Sequence, residues 1–135
     1  MVEMEVIYDG QLHCVVKHGP SGHAIATDAP KDNQGRGESF SPTDLVAGAL
    51  GSCMLTIMGV YAQSHKLNLA GMTAVVAKEM TGPGVRRIAQ LNVTVKLPKT
   101  IPADQRQALE NAARACPVAK SLHPEIEQKV KFVYE

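Results

Sequence analysis

Tryptophan is missing from this chain, and aromatic residues make up only 4% of it. Proteins that stack nucleobases need aromatic platforms, so a single-stranded nucleic-acid ligand is a poor fit. An excess of charge of one sign is missing too. The net charge is +1, and no Lys/Arg-rich run supplies the basic footprint of a duplex-binding protein. No nucleic-acid partner is expected. The opening MVEMEVIYDG is acidic and strand-like, without the basic start and apolar run of a signal peptide. Cysteine is scarce and odd in number: Cys14, Cys53 and Cys116. That excludes a fully paired extracellular disulfide framework and makes a cytoplasmic location the expectation. In that compartment, thiols that pair do so transiently, for catalysis or sensing. His13, His18, His23, His65 and His123 form no HExxH pattern, and there is no CxxC, so no metal site is expected. The histidines read as surface residues. A GK[ST] phosphate loop and a GxSxG nucleophile elbow are also absent.

What is there is ordinary globular material: 44% hydrophobic and 20% charged residues in 135 positions. That suits one domain, residues 1–135. Acidic and apolar residues alternate over 2–8, followed by an Asp9-Gly10 turn signal and a partner strand over 11–18. A third strand is predicted over 23–28. The stretch DAPKDNQGRGESFSP (28–42) is a long loop by composition, and long ordered loops often carry function. Ser41-Pro42-Thr43-Asp44 opens a helix, with Ser41 as N-cap and Pro42 at the first helical position, running to about Ser64. Strands are predicted over 70–80 and 85–97, an amphipathic helix over 102–115, a short helix after Cys116-Pro117, and a last strand over 125–134. Blocks of strands separated by helices give an α+β class.

The run LVAGALGSCMLTIMGVYA (45–62) has no charge and approaches the length of a membrane span. Gly48, Gly51, Ser52, Cys53, Thr56 and Gly59 dilute it, and neither flank is basic. It reads instead as the centre of a core or an oligomer interface, with no membrane partner.

The three thiols differ in setting. Cys14 lies on a strand with Leu12 and Val16 and reads as core. Cys53 shares a helix face with Leu45, Ala49 and Ile57. It lies about three turns, roughly 15 Å, into the helix. The helix dipole acts within the first turn only, so a reactive Cys53 needs a cation delivered from elsewhere. Cys116, before Pro117, occupies a cap-like position, and on local electrostatics it is the better thiolate of the two.

SPTDLVAGALGSCMLTIM around Cys53 and ACPVAKSL around Cys116 resemble the OsmC/Ohr superfamily of osmotically inducible and organic hydroperoxide resistance proteins. The resemblance covers nearly the whole chain. It implies antiparallel strands around a long central helix, in an intertwined homodimer with active sites at the subunit interface. Cys53 would be the thiol that attacks the peroxide and Cys116 the resolving thiol, which overrides the local reading of Cys116. A small-molecule peroxide and an external thiol reductant are the implied partners, with no cofactor. Family members carry a glutamate just after the Ser/Asn-Pro pair, where it helps hold a catalytic arginine. Here that position is Thr43, and Asp44 follows it. Arg36 is the only arginine in the loop before the helix and becomes the candidate cation, with Arg86, Arg87 and Arg114 in reserve. Two rivals share the fold: a non-catalytic small-ligand module and a redox sensor.

Overall fold

The alternation at the N-terminus becomes β1 (Met4–Gly10), paired antiparallel with β2 (His13–His18), in a computed structural model that describes residues 1–135. The reversal falls at Gln11 and Leu12 (φ 54° and 59°), not at Asp9-Gly10. Two positive φ angles match the right-handed twist of a tight hairpin. The register slips between Tyr8 and Gly10, so the Asp-Gly pair makes an irregularity that extends the strand. β3 (Ala24–Asp28) pairs antiparallel with β2 and completes the first sheet. The chain divides into two compact units, Met1–Val46 and Ala47–Glu135. The first unit has little core of its own: Met4, Val6, Ile7, Tyr8 and Ile25 are all exposed.

Helix α1 (Pro42–Ser64) begins and ends where the sequence places it. The Ser41 Oγ accepts the Asp44 N–H at 3.1 Å, and the Asp44 carboxylate accepts the Ser41 N–H at 2.9 Å. This reciprocal cap satisfies two donors that the first turn would otherwise leave free.

The second unit is built on α1 residues 47–64 and a sheet ordered β4 (Thr73–Met80), β5 (Ile88–Leu97), β6 (Glu127–Tyr134). β4 and β5 pair antiparallel, as expected, whereas β6 runs parallel to β5. The parallel pair needs a crossover, and α2 (Ala103–Arg114) and α3 (Pro117–Ser121) supply it. Leu91, Val93, Val95 and Leu97 alternate into the core from β5. Leu50, Met54 and Met58 enter it from α1 at helical spacing, and Leu109 and Ala113 from α2. A Cβ added at Gly51 would lie 2.9 Å from Val76 Cγ2, so the helix sits closer to β4 there than any side chain permits.

The uncharged helix therefore has two faces. By length and composition it could cross a bilayer. Its Leu50–Met54–Met58 stripe, however, is sealed in the core of this unit. The other side carries Gly48, Ala49, Ser52, Thr56 and Val60, all exposed, and Gly48 faces open space. Two polar ties clamp the crossover. The Tyr61 hydroxyl donates to Gln105 at 2.6 Å, and the Tyr134 hydroxyl donates to Glu110 at 2.8 Å, beneath the Arg106 guanidinium 4.2 Å from its ring.

Candidate active site

Cys53 occupies the middle of α1, half-buried, one residue before Met54 turns into the core. Cys116 follows α2, whose buried Leu109 and Ala113 pin its C-terminal turn in the core. The next residue, Pro117, cannot continue the hydrogen-bond ladder of α2 and starts α3 instead. Cys116 is thus fully buried as the N-cap of α3, and its sulfur accepts the Ala119 N–H at 3.3 Å. The fold brings these two thiols, distant in sequence, next to each other. The Cys53 sulfur acts on the Cys116 thiol through both a hydrogen bond and charge. Both are free thiols.

The local expectation that the cap position lowers the ionisation of Cys116 is overturned. Burial pushes its ionisation upward, above the usual thiol range. The Ala119 amide works against burial, but the neighbouring Cys53 raises it further. A helix of one turn supplies only a weak dipole, so desolvation wins. The direction favours the S–H form of Cys116. Cys14 is half-buried on β2 rather than core, opposite Thr27 on β3 and Tyr8 on β1.

Arg36 belongs to the first unit. Its Nη2 lies 3.8 Å from Asp28 Oδ1, and its side chain is 43% exposed. The Asp28 carboxylate, 3% exposed, also receives the His13 Nδ1 at 2.6 Å. The His13 hydrogen bond is the main reason the Asp28 carboxyl is held below its ordinary range; burial opposes it, and the Arg36 charge and the Glu38 amide add to the lowering. His13 is therefore not a simple surface residue, and the sequence reading missed Asp28 altogether. The available signal was weak: the two residues stand at matching ends of two predicted strands, but an Asp before Ala-Pro reads as loop. Among the reserve arginines, Arg87 pairs with Glu125 at 3.3 Å and Arg114 lies over the Phe132 ring at 5.2 Å.

Thr43, at the position of the expected glutamate, has its hydroxyl 3.2 Å from the Ser41 Oγ. Asp44 takes part in the cap described above. No cluster of three or more His, Cys, Asp or Glu residues suits a metal ion.

The OsmC-like protein family matches residues 35–131, which includes Arg36, Cys53 and Cys116. A crystal structure from Psychrobacter arcticus 273-4, of a proposed osmotic stress induced and detoxification response protein, is 43% identical with a TM-score of 0.91, covering 98% of this chain and 96% of that one. An organic hydroperoxide resistance protein OsmC from Legionella pneumophila shares the fold at 16% identity and a TM-score of 0.74, covering 98% of this chain and 96% of that one. An OsmC-like protein from Mycoplasma pneumoniae does so at 14% identity and a TM-score of 0.78, covering 99% and 98%. A search of curated proteins finds no match.

Proposed function

The chain belongs to the OsmC-like family, and from that premise we propose that it is a two-cysteine hydroperoxide reductase acting in the cytoplasm as a homodimer. The observation that carries the reading is the adjacency of the Cys53 and Cys116 thiols, with Cys116 fully buried and its ionisation pushed upward by that burial. That asymmetry suits a division of labour. Cys53, the more exposed, meets the peroxide; Cys116 waits as an S–H group.

In the proposed cycle the Cys53 thiolate attacks one peroxide oxygen. The O–O bond breaks, an alcohol (or water) leaves after taking up a proton, and Cys53 becomes a sulfenic acid. The Cys116 sulfur then attacks the Cys53 sulfur; the S–O bond breaks and water leaves with the Cys116 proton. A disulfide remains, which requires Cα atoms within about 7 Å. An external thiol reductant returns two electrons by thiol–disulfide exchange and restores both thiols. Arg36 is proposed as the cation that keeps Cys53 ionised and orients the peroxide. Leu50 and Met54 are sealed in the core, so the half-buried Ile57, one turn along α1 from Cys53, is the apolar neighbour left to favour an organic peroxide over a small polar one. The exposed, uncharged side of α1 supports the homodimer, because its small residues allow a second helix to approach closely.

Peroxide titration tests this. Cumene hydroperoxide should remove the Cys53 and Cys116 thiols and leave Cys14, and dithiothreitol should restore them. A Cys53→Ser protein that consumes peroxide at the wild-type rate would rule the assignment out. The non-catalytic reading draws on Thr43 at the glutamate position; it requires that both thiols survive the titration.

A further inference from the structure

A carboxylate buried as deeply as Asp28 survives only if every lone pair has a use. Three groups converge on it from different segments: the His13 imidazole from β2, the Glu38 amide and the Arg36 guanidinium from the following loop. The backbone of the same residue closes the loop, because its N–H donates to the Phe40 carbonyl at 2.9 Å, and the next N–H, that of Ala29, donates to the Leu12 carbonyl at 3.1 Å. Inside the loop, Gly35 and Gly37 donate to the carbonyls of Pro30 and Ala29 at 2.9 and 3.1 Å.

The residues on either side of Arg36 are as constrained as the carboxylate. A Cβ at Gly35 would fall 1.8 Å from the Ala29 carbonyl oxygen, and Gly37 has φ +62° with Lys31 Cγ only 2.9 Å from the place of its Cβ. Both positions accept glycine alone at no cost. Arg36 is thus constrained in its backbone by two glycines and drawn toward one carboxylate by an ion contact of 3.8 Å, with nearly half of its side chain still open. A guanidinium has five N–H donors, and one ion contact leaves most of them for another anion.

We propose that Asp28 is a positioning residue: through the ion contact and the closed loop it holds the Arg36 guanidinium in its working orientation. This rests on the reading of Arg36 as the cation of the peroxide cycle, and the test separates the two.

Asp28→Asn, Asp28→Glu, Arg36→Met and the Asp28→Asn/Arg36→Met double variant are compared by two measurements. Phenylglyoxal modification of Arg36, followed by mass spectrometry, reports the guanidinium directly. Steady-state kinetics with cumene hydroperoxide and dithiothreitol report its use. Asp28→Asn should modify severalfold faster at Arg36 and lose about ten- to a hundredfold in kcat/KM, a cost typical of a misplaced catalytic group. Asp28→Glu should recover part of both, and serves as the comparison if the Asn variant does not fold. In the Arg36→Met background, Asp28→Asn should cost nothing further. Unchanged Arg36 modification in both Asp28 variants overturns the proposal, as does an equal loss from Asp28→Asn with or without Arg36. Faster modification in a protein whose Arg36→Met variant keeps full activity upholds the positioning and refutes the role given to Arg36.

Discussion

The two units of this chain reach order by different means. Residues 47–135 follow the usual rule: β5 and the inner faces of α1 and α2 bury Leu50, Met54, Leu91, Val93, Val95 and Leu109 almost completely. Residues 1–46 have exposed apolar side chains along β1 and a buried carboxylate among their most enclosed groups. Burial of apolar surface is non-directional and stabilises whatever packs. A hydrogen-bonded ion cluster is directional and stabilises one geometry. The second unit is thus suited to hold two sulfurs together, and the first to keep one carboxylate against its partners.

Substitutions of comparable chemistry can break that comparison. The largest effect belongs to the thiols. Cys53→Ser should abolish peroxide consumption measured with dithiothreitol, whereas Cys14→Ser in the first unit should leave the rate within about twofold, as expected of a substitution away from the chemistry. Next comes packing. Leu109→Ala should lower the unfolding free energy by about 2–5 kcal/mol in urea titrations, the cost of an unfilled core cavity. Val6→Ala on the exposed β1 should change it by less than about 0.5 kcal/mol.

The two units should also fail at opposite ends of the pH scale. Asp28 is held below its ordinary value of 3.8, mainly by the His13 hydrogen bond, so its stabilisation is intact above that pH and is lost as pH falls further. Cys116 is raised above 9.0, by burial first, and Tyr134 is raised above 10.0 for the same leading reason. Their contribution is intact below pH 9 and declines as pH rises through the raised values. Amide hydrogen exchange resolved by residue checks both: protection at Ala29, Gly35 and Gly37 should go in acid, and protection in α3 and β6 in alkali. The smallest effect is Tyr134→Phe, which removes the hydrogen bond to Glu110 and should cost about 0.5–1.5 kcal/mol by thermal unfolding.

Much of the second unit was legible in the sequence because its cues are local and periodic. The α1 limits followed from Ser41, Pro42 and the end of the apolar run, and β5 from the alternation of Leu91, Val93, Val95 and Leu97. Pro117 marked the α3 start and the cap at Cys116. The parallel direction of β6 was not legible, since alternation gives a strand but not its orientation. The Gln11-Leu12 turn was hidden because Asp9-Gly10 is the stronger local signal and lost to the register of the β1–β2 pair. The expected acidity of Cys116 failed for a related reason. Position at a helix end can be read from sequence, but the desolvation that outweighs it depends on what closes over Cys116. Asp28 was missed on the same ground: nothing in DAPKDNQG announces that its first residue is sealed from water.

The contact at Gly51 carries a consequence for the spacing of the two sulfurs. Val76 is branched at Cβ and has little freedom to rotate away, so even a methyl group at position 51 must lift α1 off β4 by tenths of an ångström. Cys53 rides on the next half-turn and moves with it, while Cys116 stays anchored elsewhere. A disulfide forms only within a narrow window of separation and dihedral angle. A single hydrogen atom, standing where every other amino acid has carbon, thus acts as the shim that sets the reach between the thiols.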